Sequence, residues 1–258
     1  MSEGNFYSNR VAVVTGGGRG FGKAFGMALA ARGAHAVLVD IDGTVAEEAA
    51  ADIRASGGQA TGFGGDVTDE ARMAEIMKQA AALGAKNGNP GIDILINNAG
   101  LHSDEYGQPI FKMGLAKVKR LFDVNVIGVV TCTIAAAEYM RGRAGASMVN
   151  IASSAGHMGG SAYGDTKLAV SGLTITFARE LGPDGVRVNA ISPGLMLTET
   201  IAAELPPETK ARVKAMQMIG DDGKEEHIVD AMLFLTSPQA SFVTGEVLRV
   251  TGGMAAGV

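Results

Sequence analysis

Apolar residues along this chain follow two alternating rhythms. Short runs of β-branched and aliphatic residues at 11–15, 36–40, 92–97, 148–151, 186–191 and 247–250 read as strands, with 60–63 a weaker one. Longer segments of helical period lie between them. In the first, Phe21, Ala24, Phe25, Ala28 and Leu29 fall at i, i+3, i+4, i+7 and i+8, one apolar stripe that Gly33 stops. The strands are almost continuously apolar, the pattern of parallel strands covered on both faces by helices. The expected architecture is a single α/β domain with a doubly wound parallel sheet. Segments 85–91, 102–109 and 195–207 read as loops. Two of them follow strand ends, where open α/β sheets place their ligands, and form the expected walls of a substrate site.

Composition narrows the function. With 258 residues, 47% hydrophobic and 19% charged, the chain is globular and long enough for one sizeable core. A net charge of −5 and a scattered basic set (Lys112, Lys117, Lys119, Arg120) argue against nucleic acid. Cys132 is the only cysteine, which excludes an intrachain disulfide and a thiolate metal cluster. Residues 1–10 carry Glu3 and have no apolar core, so a secretory leader is not expected. The uncharged apolar stretch 124–137 is too short to span a bilayer. A cytoplasmic protein without a membrane partner is the expectation.

The first candidate chemistry follows the first strand: Thr15-Gly16-Gly17-Gly18-Arg19-Gly20-Phe21-Gly22 leads straight into the amphipathic helix. Glycines let the backbone approach a pyrophosphate, and a helix N-terminus offers unpaired N–H groups and a favourable dipole. The strict G-x-G-x-x-G spacing is absent, because Lys23 stands where the third glycine would fall; the pattern is T-G-x-x-x-G-x-G. The next strand ends at Asp40. A carboxylate there can bind ribose hydroxyls and repel a 2′-phosphate, so NAD is favoured over NADP. Arg19 pulls the other way, since a guanidinium in the turn can pair with that phosphate. A solvated strand-end carboxylate is the plain alternative for Asp40.

The second is Tyr163-Gly164-Asp165-Thr166-Lys167, which opens a segment of helical composition over 162–181. Four residues turn a helix by about 400°, so Tyr163 and Lys167 share a face and Asp165 points away. A phenol ordinarily ionises near pH 10. The expectation is that the neighbouring ammonium lowers that value and makes Tyr163 a general acid or base. Alone, Y-x-x-x-K is a weak signal that many helices carry by chance.

Taken together, these motifs make the chain resemble the classical short-chain dehydrogenase/reductase family from Arg10 to Gly253. The matching residues are Thr15-Gly16 with Gly20-Phe21-Gly22, Asp66-Val67, Asn97-Asn98-Ala99-Gly100, Asn125, Asn150 to Ser153, Tyr163 with Lys167, Asn189 with Pro193-Gly194 and Thr198, Thr244-Gly245, and Gly252-Gly253. The resemblance implies a Rossmann fold of about seven strands. It also implies a nicotinamide cofactor and interconversion of a secondary alcohol and a ketone. The implied catalytic tetrad is Asn125, Ser153, Tyr163 and Lys167. Tyr163 would exchange the proton, Ser153 hold the substrate oxygen, Lys167 bind the nicotinamide ribose and tune the tyrosine, and Asn125 anchor a proton-relaying water. The implied cofactor contacts are Gly16, Arg19, Gly20, Phe21, Gly22, Asp40, Asp66, Val67, Asn98, Ala99, Gly100, Tyr163, Lys167, Pro193, Gly194, Met196 and Thr198. Homotetramers are common in the family, built from helices around 117–139 and 163–181 and the C-terminal strand.

The chain departs from the family in two places. Only nine residues separate Ser153 from Tyr163, a short spacing rich in glycine, with Ser154 the alternative serine. Thr251 stands where an aspartate usually precedes the final glycine pair. The histidines His35, His102, His157 and His227 form no metal-ligand spacing, and Cys132 is expected to be inert packing. The segments near the pocket read as apolar or mixed without a fixed cation, which disfavours a substrate with a carboxylate or phosphate handle. Two other readings stay open: an NADPH-dependent 3-oxoacyl-carrier-protein reductase, and a nucleotide-binding regulator that has lost the chemistry.

Overall fold

The computed structural model describes residues 6–85, 90–102, 104–196 and 207–254. Seven strands, β1 (Val11–Thr15), β2 (His35–Asp40), β3 (Gln59–Gly64), β4 (Ile94–Asn97), β5 (Ser147–Ile151), β6 (Arg187–Pro193) and β7 (Val247–Val250), form one sheet in the order β3-β2-β1-β4-β5-β6-β7. Every pair is parallel. The order reverses between β1 and β4, which opens a crevice at their carboxyl ends.

Successive strand residues point to opposite faces and so supply two cores. Val11, Val13, Val37, Val39, Leu95, Met148 and Val188 face helices α3 (Glu70–Ala85), α6 (Gly128–Met140) and α8 (Ala162–Leu181). Ala12, Val14, Ala36, Leu38, Ile96, Val149 and Ile191 face α1 (Gly20–Ala30), α2 (Gly43–Ala55) and α10 (Glu225–Thr236). The central strands β1, β4 and β5 are buried on both faces, which is why they read as unbroken apolar runs. The short helices α4 (Ile110–Met113) and α7 (Ser154–Met158), with α9 (Pro207–Met216), follow the strand exits.

Two strand limits differ from the sequence pattern by two residues, for tertiary reasons. β6 runs to Pro193 because β7 pairs with Ala190–Pro193. Strand β4 begins at Ile94, since the carboxylate of Asp93 is drawn into a buried cluster, accepting from Val11 N at 2.8 Å, Arg143 at 2.8 Å and Arg10 at 3.2 Å. The helix Leu115–Met140 joins α5 (Leu115–Phe122) to α6 through a π-turn at Asp123–Ile127. By length and composition it is apolar enough to cross a membrane, yet it is a core helix with Leu121, Cys132, Ala136 and Met140 buried. Loop 102–109 contains a 3-10 turn at Asp104–Tyr106; most of loop 195–207 lies outside the described residues.

Candidate functional site

The glycine turn is held from three sides. Gly16 and Gly20 take left-handed backbone angles (φ +61° and +47°), and a Cβ on Gly22 would strike the Gly16 carbonyl. Asn98 ties the turn to β4: its Nδ2 donates to Thr15 O at 3.0 Å and Gly16 O at 3.1 Å. Thr15 Oγ1 accepts from the N–H groups of Asn98 and Ala99 at 3.0 and 3.1 Å. Asp40, at the end of β2, accepts from Gly18 N at 3.1 Å and Asp42 N at 3.2 Å. The sequence reading assigned Asn98 and Asp40 to the nucleotide; both side chains also build the turn itself.

Arg19 stands exposed at the N-cap of α1, whose first turn receives no side-chain cap. Those unclaimed N–H groups beside a backbone stripped of Cβ atoms fit a pyrophosphate. Phe21 packs beside Phe25, ring centres 6.3 Å apart. Asp66 accepts from Thr68 and is ion-paired with Arg120 at 3.0 Å. Burial raises its pKa, but the Thr68 and Arg120 contacts outweigh that and hold it below the usual carboxylate range. Val67 is buried against Gly128.

The tetrad residues converge at the carboxyl ends of β4 and β5. Ser153 caps α7, its Oγ accepting from Ala155 N at 3.2 Å. The same hydroxyl faces the phenol of Tyr163 and lowers its pKa. Tyr163 sits in the first turn of α8, which Ser161 caps through Gly164 N at 3.0 Å. The short spacing between them closes because α7 lies directly on α8: a Cβ on Gly156 would stand 2.8 Å from Leu168 N. Ser154 is buried at the cavity wall, while Ser153 is the serine that meets the phenol.

Lys167 is buried and donates to Ile151 O at 2.7 Å. Its ammonium lies 5.8 Å from the centre of the Tyr163 ring. Asp165 points out to solvent. The expected lowering of the tyrosine pKa by the ammonium is not what the structure gives: burial raises the Tyr163 phenol, and Ser153 opposes it. The reason is reciprocal. Burial also pulls Lys167 down to about 8, and its proton is directed at a backbone carbonyl rather than the phenol.

Asn125 is fully buried in the π-turn. Its Oδ1 accepts from Leu101 N at 2.7 Å, and its Nδ2 donates to Leu101 O and Thr166 Oγ1, each at 3.1 Å. Both amide donors are thereby committed, so this side chain fastens the exit of β4 to α8. A Cβ on Gly100 would lie 3.3 Å from Asn125 Oδ1 and 3.4 Å from Lys167 Nζ. The alignment of α8 also depends on residues to which the sequence motifs gave no role, and on Thr174, which lies outside them. Thr166 donates to Tyr163 O at 2.7 Å. Beneath it a buried chain runs from Asn97 Nδ2 to Asn150 Oδ1 at 2.9 Å and from Asn150 Nδ2 to Thr174 Oγ1 at 2.9 Å.

Beside Ser153 opens a cavity of about 510 Å³, lined by Ser153, Ser154, Met158, Gly194, Leu195, Arg212, Val213, Met216 and Met254. Of the methionines nearby, Met158 and Met216 line it, Met196 is buried against Gly223, and Met218 packs on Gly253. The segments expected to form the pocket bring no cation to the described wall, but Arg212, an exposed residue outside them, also lines it. It comes from α9, a helix that supplies no strand-end motif, so only the fold brings it to the wall. Gly194 is forced by contact, since a Cβ there would lie 2.9 Å from Thr251 Cα, and Pro193 ends β6. Thr198 lies outside the described residues. Cys132 is buried, its thiol pushed up to about 12 by burial, which leaves it unreactive. His102 is exposed, and burial with the nearby Arg249 lowers the His157 pKa.

A seven-stranded doubly wound sheet with a glycine turn at β1 and a tyrosine and lysine on α8 beside an open pocket defines a nucleotide-binding α/β protein of the oxidoreductase class. Residues 16–255 match the family model described as enoyl-(acyl carrier protein) reductase. A cis-4-hydroxycyclohexanecarboxylate dehydrogenase from Sinomonas cyclohexanicum is 35% identical over 98% of this chain and 99% of its own. A 3alpha-hydroxysteroid dehydrogenase from Mediterraneibacter gnavus is 35% identical over 95% and 96%. Among solved structures, a Haemophilus influenza protein described as a D-mannonate oxidoreductase, with bound NAD, superposes with a TM-score of 0.89 at 26% identity over 97% of this chain and 96% of that one. The chain belongs to the short-chain dehydrogenase/reductase family, whose relatives here act as alcohol and ketone oxidoreductases.

Proposed function

We propose that this protein is an NAD-dependent oxidoreductase that interconverts a secondary alcohol and a ketone, with Tyr163 as general acid and base. The observation that carries the reading is the meeting of Tyr163 with Ser153, which lines the cavity, with buried Lys167 one helical turn behind. When bound, the nicotinamide supplies the hydride acceptor or donor. The chain's own groups supply the rest. Ser153 orients the substrate oxygen by a hydrogen bond that costs no reorganisation. Tyr163 takes the hydroxyl proton at Oη in oxidation and returns it in reduction. Lys167 and Asn125 fix the pocket floor around Gly100.

The unclaimed N–H groups of α1, the glycine turn, Asp66, Val67 and the 98–100 backbone form the proposed nucleotide groove. Asp40 favours NAD because its carboxylate repels a 2′-phosphate at the position where the turn already orients it. The carrier-protein reading loses ground, since Lys117 and Arg120 of its basic patch are paired with Glu105 and Asp66. We assign the protein to the cytoplasm and to a homotetramer, the latter supported by Ile134 on α6 and Leu168 and Ile175 on α8, which stand 68%, 54% and 44% exposed.

The test is nicotinamide absorbance with NAD or NADP and a panel of secondary alcohols that includes cis-4-hydroxycyclohexanecarboxylate and hydroxysteroids. NAD-dependent turnover that Tyr163→Phe abolishes, while nucleotide binding persists, supports the reading. Equal turnover by Tyr163→Phe overturns it.

A further inference from the structure

The cavity beside Ser153 is apolar along Met158, Leu195, Val213, Met216 and Met254, and one charged group enters it, Arg212. Two of its neighbours on and after α9 are ion-paired: Lys214 with Asp222 at 2.8 Å, and Lys224 with Glu226 at 3.4 Å. Among the described residues no carboxylate lies within ion-pair distance of Arg212, although Glu208 stands one helical turn away on the same helix. A guanidinium with no ion-pair partner among the described residues, beside an otherwise apolar wall, can offer its donors to a ligand.

The helix that carries it is anchored. Met218 N and Ile219 N donate to Gly252 O at 2.7 and 3.0 Å, and Gly223 bridges to Met196. A Cβ on Gly253 would strike Met218, so the final glycine pair lets this cover seat against the end of β7. Arg212, an exposed residue of this anchored helix, therefore lines the same cavity as Ser153.

From this we infer that Arg212 is a specificity residue that binds an oxyanion on the substrate, a carboxylate or sulfonate separated from the reacting hydroxyl by an apolar spacer. The inference rests on the oxidoreductase reading for the orientation of that hydroxyl, but the anion site itself does not need the chemistry. Guanidinium presents a planar fork that matches a carboxylate in two parallel hydrogen bonds. The methionines and Val213 would cover the hydrocarbon between the two polar ends.

Binding of unreactive probes separates the two claims. Cyclohexanecarboxylate and its neutral carboxamide are titrated calorimetrically into the wild type, Arg212→Gln and Arg212→Lys, with NADH saturating and again without nucleotide. The carboxylate is expected to bind wild type about tenfold tighter than the carboxamide, to lose about tenfold in Arg212→Gln and to recover in part in Arg212→Lys. The carboxamide should bind all three alike. A carboxylate that fails to bind wild type, binds it no better than the carboxamide, or is indifferent to Arg212→Gln overturns the proposal. Turnover of neutral cyclohexanol by the wild type, measured in parallel, tests the oxidoreductase reading alone.

Discussion

The ammonium of Lys167 and the ring of Tyr163 lie 5.8 Å apart on one face of α8, yet the lysine donates to Ile151 O instead of the phenol. The two groups are thus coupled through their shared burial. Each disfavours charge, which raises the tyrosine and lowers the lysine.

Stability should carry the lysine's signature. Burial lowers the folded-state pKa of Lys167 from 10.5 to about 8. Between those values the folded protein holds fewer protons than the unfolded chain. The cost of the buried ammonium is therefore fully present below about pH 8 and is relieved as the pH rises toward the unfolded value. At about 1.4 kcal/mol per unit, wild type should gain about 3 kcal/mol relative to Lys167→Met across that window. Urea titrations of both proteins near neutral pH and near pH 10 measure it; a pH-independent difference contradicts a buried ammonium.

Ser153 and Ser154 should separate kinetically. Ser153→Ala removes the group that lowers the phenol and orients the substrate oxygen. It should reduce kcat for alcohol oxidation by about 10²-fold and move the rising limb of its pH profile upward. Ser154→Ala should alter KM and leave that limb in place. A pH profile unchanged by Ser153→Ala argues against the assignment.

The glycine turn admits a sharp test at Gly22. An alanine there meets the Gly16 carbonyl and must displace the turn. Nucleotide affinity should fall by at least about tenfold, and stability by about 1–3 kcal/mol, as fluorescence titration and denaturation would show.

Asp40 holds Gly18 and Asp42 N–H groups. In Asp40→Ala the lost acceptor should cost about 1 kcal/mol of stability, and the ratio of NADP to NAD affinity should rise by about tenfold or more. An unchanged ratio would remove the carboxylate as the discriminating group.

Replacing Ile134 and Leu168 together by glutamate places charges on the exposed sides of α6 and α8. Sedimentation should then report a smaller assembly than wild type, with unchanged far-ultraviolet dichroism. An identical mass would move the interface elsewhere.

The pattern of apolar runs and glycines was enough to determine the parallel sheet, the turn after β1 and the face shared by Tyr163 and Lys167, because each depends on periodicity or on residues close in the chain. Helix Ala162–Leu181 begins and ends where its sequence places it. What depends on long-range packing was not legible. The ends of β4 and β6 follow Asp93's buried ion cluster and the pairing with β7. The commitment of Asn125 to Leu101 and Thr166 requires two elements 24 and 41 residues away to converge. The direction of the Tyr163 shift turns on desolvation, which a spacing does not encode. Arg212 is the clearest case: in the sequence it is one cation among several on a polar helix, and only the folding of α9 across the strand ends sets it, without a carboxylate partner among the described residues, into the wall of the pocket.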